Sequence, residues 1–314
     1  MESVPVLVSA QSRKLRGARL SSALAVQSVV LRETTAFLHG RGFAQLLPVI
    51  VPPITDPLNH GVADAEIDYC GSRFQLTKSM ILHKQLALAA PGAGRLFIIS
   101  PNVRLERPER ASTGRHLLEF TQADFEMRGA GAAEAMSLTE DLFLLVFSAV
   151  MRECAAELES VGRRLVLPCA PFAVRSTGEL EAEFGKGWEA EFSRSISAPA
   201  WVLDHEREFY DREDAARPGH YANYDLIYPE GFGEALSGGE REHEYGRIVE
   251  RMRRKAMDLA PYACYLEAAR QGLLSPSAGA GFGIERMVRF LCGFERIEDV
   301  SPFAKPPGAR AYVF

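Results

Sequence analysis

The stretch Asn102–Arg128, NVRLERPERASTGRHLLEFTQADFEMR, concentrates side chains able to do chemistry. Arg104, Glu106, Arg107, Glu109, Arg110, Arg115, His116, Glu119, Asp124 and Glu126 all fall within it, between apolar, strand-like segments. Such charge density is the usual composition of a solvated hairpin, but the spacing here is more particular. Arg104 and Glu106 are two residues apart and share a face where the chain is extended, as do Phe120, Gln122 and Asp124 on the returning strand. Pairing the two strands would bring an arginine, two carboxylates and an aromatic ring to one surface. An arginine fork can hold a phosphate through two parallel hydrogen bonds. A carboxylate can accept from an exocyclic amine, and a ring can stack on a base. The set reads as a surface for ATP.

The elements that must position these residues follow from periodicity and punctuation. Ala23–His39 carries apolar residues at helical spacing and is closed by Gly40 and Gly42. A strand-like run, Phe43–Val51, ends at Pro52-Pro53. Helices are expected over Ser79–Ala90, Ala135–Leu158, Glu240–Leu259, Tyr262–Gln271 and Ile284–Leu291. Strands are expected over Arg95–Ser100, Leu117–Arg128, Ala200–Leu203, Asn223–Tyr228 and Gly279–Gly283. Strands grouped in this way, without one-to-one alternation with helices, predict an α+β fold with an antiparallel sheet.

Composition excludes several classes. The 314 residues carry 36 Lys+Arg against 41 Asp+Glu, a formal charge of −5, which disfavours non-specific binding to a polyanion. No uncharged apolar run approaches the roughly 20 residues of a membrane helix. The apolar N-terminal patch precedes its charges, Arg13, Lys14 and Arg16, the reverse of a secretory signal. Five scattered cysteines form neither a disulfide framework nor a zinc motif and read as reduced thiols of a cytoplasmic protein. There is no HExxH, GxSxG or P-loop pattern.

VRLE followed by RHLLEFTQADFE resembles motif 2 of the class II aminoacyl-tRNA synthetases, in the aspartyl/asparaginyl branch. GFGIERMVR, from Gly281, resembles motif 3, with Arg286 at its arginine position. GFAQLLPVIVPP resembles motif 1, with Pro48 or Pro52 as the motif proline. EALSGGEREH resembles the E-x-x-S-G-x-x-R-x-H element of the aspartyl enzymes. TKSMILHKQ resembles their QSPQLYKQ, with Ile81 and Lys78 in place of two family glutamines, and the C-terminal FPR element reads Phe303-Ala304-Lys305.

The resemblance implies an antiparallel class II sheet flanked by helices. It implies ATP bound by Arg104, Glu106, Arg115, His116, Phe120, Glu234, Gly283 and Arg286, with Arg104 and Arg286 catalytic. It further implies Mg2+ on Glu234 and Ser237, with Asp225 a third candidate. An acidic amino acid would be bound by Ser79, Lys84, Gln122, Asp124, Arg241 and His243. Lys84 and Arg241 would face a carboxylate, and Asp124 an ammonium group. Motif 1 is a dimer interface in this family, so a homodimer is implied.

The motif 1 helix begins near residue 20, leaving no room before it for an anticodon-binding barrel. Residues 1–314 are therefore expected to be a single catalytic domain without tRNA as partner. The stand-alone paralogues of archaeal asparagine synthetase type are the nearest resemblance, through TKSMILHKQ, TDPLNH, REFYDRED and PEGFGEALSGGEREHEYGRI. These adenylate aspartate with ATP and pass the acyl group to ammonia, giving asparagine, AMP and pyrophosphate. A second reading keeps adenylation and changes the acceptor to another amine, a carrier protein or tRNA. A third is a non-catalytic paralogue that binds an amino acid. Which carboxylate is activated, α or β, and which residue handles ammonia are not specified by these motifs.

Overall fold

The computed structural model describes residues 4–58 and 61–309, so that Asn59 and His60 of the TDPLNH stretch lie outside the described residues. The chain begins with α1 (Val4–Leu15), α2 (Ala18–Gly40) and β1 (Ala44–Leu46), followed by the hairpin β2 (Glu66–Tyr69) and β3 (Ser72–Gln75). Next come α3 (Ile81–Ala87), β4 (Arg95–Val103), β5 (Glu119–Arg128), α4 (Ala132–Glu153) and α5 (Ala155–Ser160). The middle of the chain supplies β6 (Ala173–Ser176), α6 (Thr177–Phe184), α7 (Glu189–Ser195) and β7 (Ala200–Leu203). It closes with β8 (Asn223–Tyr228), β9 (Gly233–Glu240), α8 (Tyr245–Arg254), α9 (Ala263–Arg270), β10 (Ser277–Gly283) and α10 (Ile284–Cys292).

Eight strands form one sheet in the order β1-β4-β5-β10-β9-β8-β7-β6. Its interior pairings are antiparallel, and the two edge pairings, β1 with β4 and β6 with β7, are parallel. The expected antiparallel sheet flanked by helices is present, with parallel edges added.

Period-two alternation gives the sheet its two faces. On β5, Ala123, Phe125 and Met127 enter the main core, while Gln122, Asp124 and Glu126 turn the other way. On β10, Ala278, Ala280 and Phe282 enter the core, with Gly279, Gly281 and Gly283 on the opposite face. α2, α4 and α10 pack on the core side, contributing Val26, Val30, Phe143, Val146, Met287 and Leu291. Burying one such side chain contributes about 1.5–3 kcal/mol, so this face dominates the fold's stability. The other face is flanked by smaller apolar clusters. One lies beneath α6 and α7, around Leu180, Phe192 and Val202. Another joins Ile81 and Leu82 of α3 to Phe209, Tyr210 and residues of α8 and α9. The polar residues of the open face lie between these clusters.

Three expectations change. The strand expected over Phe43–Val51 is only Ala44–Leu46, because Pro48 lacks the donor a ladder needs. The helix expected to run unbroken over Ala135–Leu158 breaks at Cys154, between α4 and α5. The helix expected from Glu240 begins at Tyr245, and Gly233–Glu240 is strand β9. EALSGG is rich in polar residues and glycine, yet tertiary pairing with β8 and β10 makes it a central strand.

Candidate active site

The register of β5 against β10 builds the centre of the open face. Gly279 lies opposite Glu126, Gly281 opposite Asp124, and Gly283 opposite Gln122. A Cβ at Gly281 would sit 2.4 Å from Asp124 Oδ1, and one at Gly279 would sit 2.3 Å from Glu126 Oε2. These two glycines therefore make room for carboxylates lying flat across the neighbouring strand. At Gly283 the nearest atoms are at ordinary contact distance, and it serves instead as the N-cap of α10.

Two cavities share this floor. The smaller, about 200 Å³, is lined by Arg104, Glu106, Arg115, His116, Phe120, Gln122, Glu234, Gly283 and Arg286, with Arg110 and Glu285 beside them. The residues expected at ATP thus come together in one place. Arg104 follows β4 directly, its guanidinium 5.1 Å from the centre of the Phe120 ring and its Nε donating to the Lys78 carbonyl at 3.1 Å. Arg286, on the first turn of α10, donates to Glu234 at 3.0 Å. Arg115 is paired with Glu189, which also accepts from the Glu234 backbone N–H. Burial opposes ionisation of Glu234, but Arg286, Arg115, Arg207 and Arg104 outweigh it and hold the carboxyl at about 2. His116 is pushed the other way for a base. Burial, reinforced by Arg286 and Arg115, lowers it to about 3, so the ring is neutral at physiological pH. Its Nδ1 is 2.6 Å from the Thr113 hydroxyl.

The larger cavity, about 630 Å³, shares Arg104, Gln122, Glu234 and Gly281 with the first. It is lined by Ser79, Lys84, Asp124, Asp225, Ser237 and Arg241, and His243 is not among its lining residues. Lys84 is fully buried and lies 3.2 Å from Asp124 and 3.4 Å from Glu126. Arg241 pairs with Glu126 at 3.1 Å and with Asp211 at 3.2 Å. The two cations expected to grip a carboxylate are thus each set against protein carboxylates, with Glu126 common to both. Asp124 Oδ2 is buried and accepts no hydrogen bond. Ile81 lines this cavity, whereas Lys78 turns away to pair with Asp64. Lys305, in the element departing from FPR, pairs with Glu119 at the surface.

The three metal candidates line this same cavity, and Asp225 and Ser237 are direct cross-strand neighbours. Among the described residues there is no group of three His, Cys, Asp or Glu able to hold an ion. Arg207 explains part of this, since its guanidinium lies 3.0 Å from Asp225 and also donates to Ser237. Asp225 is further faced by His205 at 3.4 Å. Glu234, ionised at any physiological pH, is the donor whose chemistry best fits a divalent cation. Magnesium commonly takes one or two protein carboxylates and completes its shell with phosphate oxygens and water.

Sequence reasoning gave no site role to Arg207, Asp211, Glu126, Asp56 or Glu208, all at or beside this face. REFYDRED carried a usable signal, since Arg207 and Asp211 are four apart, with an aromatic pair between them. Without a periodic element around it, that signal could not be placed.

A family model for class II tRNA synthetases (D, K and N) matches residues 5–307. Among solved structures, the asparaginyl-tRNA synthetase of Pyrococcus horikoshii complexed with asparaginyl-adenylate matches with a TM-score of 0.86 at 23% identity, over 99% of this chain and 74% of that one. The asparaginyl-tRNA synthetase of Entamoeba histolytica in complex with asparaginyl-adenylate matches with a TM-score of 0.84 at 21% identity, over 97% and 71%. The aspartyl-tRNA synthetase of the same organism gives 0.80 at 22% identity, over 99% and 64%. At these identities the structural matches speak for the fold.

Proposed function

The chain belongs to the class II tRNA synthetases of the D, K and N type, a family of ATP-dependent ligases that form aminoacyl adenylates, and from that premise we propose that it adenylates aspartate or a close acidic analogue and transfers the acyl group to ammonia. The observation that carries the adenylation step is the continuity of the two cavities. Arg104, Glu234 and Gln122 border both, so a nucleotide in one presents its α-phosphate to an amino acid in the other.

The chemistry follows from charge. The substrate carboxylate attacks the α-phosphorus in line, and Arg104 meets the charge gathering on the phosphoryl oxygens. Pyrophosphate departs toward Arg286 and Arg115. His116, being neutral, contributes a hydrogen bond there and no charge. Magnesium held by Glu234 and Ser237, with Asp225 behind Arg207, would neutralise phosphate charge. Lys84 and Arg241 orient the substrate carboxylate left outside the reaction, and Asp124, with one oxygen uncommitted, takes the substrate ammonium group. Ser79 and Gln122 complete that pocket, and His243 acts from outside it. Residues 1–314 act as one catalytic unit.

A homodimer through motif 1 completes the reading. Leu47 is 89% exposed and Ile50 and Val51 are also exposed, an apolar strip next to the sheet edge at β1. Among the described residues no helix is long and apolar enough to cross a membrane.

The test is aspartate-dependent ATP–pyrophosphate exchange, followed by mass spectrometry of the product made with isotopically labelled ammonium. Labelled asparagine is the expected product, and isoasparagine would show that the α-carboxylate is activated. Exchange without a labelled amide would move the acceptor to the second reading, another amine, a carrier protein or tRNA, of which the family match favours tRNA. No exchange with any acidic amino acid would remove both.

A further inference from the structure

We propose that the Glu208 carboxyl, in the wall of the larger cavity, is the seat of the acceptor nitrogen, binding ammonium and taking a proton from it before the nitrogen attacks the adenylate. This rests on the reading of ammonia as the acceptor.

Glu208 is 9% exposed and lines the cavity that also holds Lys84, Asp124 and Arg241. Its neighbours fix it there. Phe209 is fully buried and Tyr210 nearly so, both packed against α3, α8 and α9. The two acids whose charge bears on it, Asp56 and Asp211, are committed. Asp56 accepts from the Tyr210 hydroxyl at 3.1 Å and from the Leu58 N–H at 3.0 Å. Asp211 accepts from Asn223 at 2.8 Å and pairs with Arg241. Arg207 is turned to Asp225 and Ser237. Glu208 takes a hydrogen bond from its own backbone N–H, and among the described residues no other side chain bonds or pairs with it. A largely buried carboxyl with that single donor has acceptor capacity left for a ligand that brings its own donors. Ammonium supplies four, and a cavity lined by nine carboxylates against four Lys and Arg concentrates small cations.

Its titration suits the task. Burial, then Asp56 and Asp211, raise the carboxyl to about 7, against the opposing pull of Arg207. At neutral pH it can therefore both accept and release a proton. Ammonium gives one proton to Glu208. The freed lone pair forms the C–N bond at the acyl carbon, while the acyl C–O bond breaks and its electron pair leaves with AMP. The surplus proton on nitrogen passes to the departing phosphate or to water, and Glu208 returns its proton to solvent.

Glu208→Gln and Glu208→Asp test this in the full chain, with amide synthesis and aspartate-dependent exchange measured on each. For Glu208→Gln, kcat/KM for ammonium should fall about 10²-fold, with Glu208→Asp recovering part of it. The wild-type profile of kcat/KM for ammonium should level off above neutral pH. That of Glu208→Gln should keep climbing toward ammonia's own titration range, because only free ammonia then serves. An unchanged ammonium KM and pH profile in Glu208→Gln would overturn the proposal while leaving amide synthesis intact. A raised aspartate KM in exchange, with the ammonium KM unmoved, would assign Glu208 to the substrate amine and also overturn it. A wild-type enzyme that exchanges but makes no amide would overturn the proposal together with the ammonia reading.

Discussion

Glu234 and Glu208 line the same cavity, yet their surroundings drive them in opposite directions. Glu234 also borders the nucleotide cavity, where four arginines face three glutamates, and its carboxyl is held at about 2. Glu208 borders only the larger cavity, where carboxylates predominate, and its carboxyl rises to about 7. Burial pushes both upward, so the difference comes from neighbours: guanidinium groups around one, Asp56 and Asp211 beside the other. Over one sheet face the protein keeps an end built to stabilise anions and an end built to hold a proton or a cation.

The largest expected effect tests the acid-rich end. In Lys84→Met, Asp124 and Glu126 lose a buried cation, leaving Arg241 to neutralise Glu126 alone. Stranding a buried charge costs about 3–5 kcal/mol, so urea unfolding should show a loss of that order. A loss under 1 kcal/mol would mean that Arg241 alone balances the site, by the same reckoning. At the arginine-rich end, Arg286→Ala should slow aspartate-dependent exchange by about 10²–10³-fold, the usual cost of one lost transition-state donor. Normal exchange in that variant would show that Arg286 does not clamp pyrophosphate.

The floor between the two ends is tested by Gly281→Ala. Its Cβ would meet Asp124 Oδ1 at 2.4 Å, so Asp124 or β10 must shift. Overpacking of this kind costs about 1–3 kcal/mol. The aspartate KM should rise more than the ATP KM, because Asp124 lines only the larger cavity. An equal rise in both would mean that the displacement passes through Gln122 into the nucleotide cavity.

How much of this was legible beforehand differs along the chain. β7 and β8 follow the expected bounds because short apolar runs between turn residues leave few alternatives. The motif 2 hairpin was legible in spacing as well as in likeness, since alternation sends Phe125 inward and Asp124 outward. β9 was not, because its glycines are explained only by what lies across the sheet. A Cβ at Gly238 would stand 2.4 Å from the Tyr224 ring and 2.7 Å from the Gly279 carbonyl. A Gly-x-Gly read alone means close packing. Only the register shows that the packing makes room for the site's carboxylates. Glu208 was hidden for a different reason. A glutamate in a charged segment reads as solvated, and its burial depends on Phe209 and Tyr210 docking on helices that the sequence places elsewhere.

The smallest expected effect is the sharpest test of the comparison, because it predicts opposite signs from one chemical change. Glu208 has its folded-state value raised, so its contribution is unimpaired below the unfolded value near 4.5 and becomes a penalty as pH rises through about 7. Glu208→Gln removes that penalty and should raise stability near neutral pH and above, with the gain vanishing below the unfolded value. Glu234 has its folded-state value lowered, so it stabilises above about 4.5 and that contribution is lost as pH falls through about 2. Glu234→Gln should therefore destabilise at neutral pH, by about 1 kcal/mol once solvent screening of this partly exposed pair is allowed for. Thermal melts of both variants across the pH range would read the two signs directly. Two changes of the same sign would mean that one field, rather than two, governs the whole face.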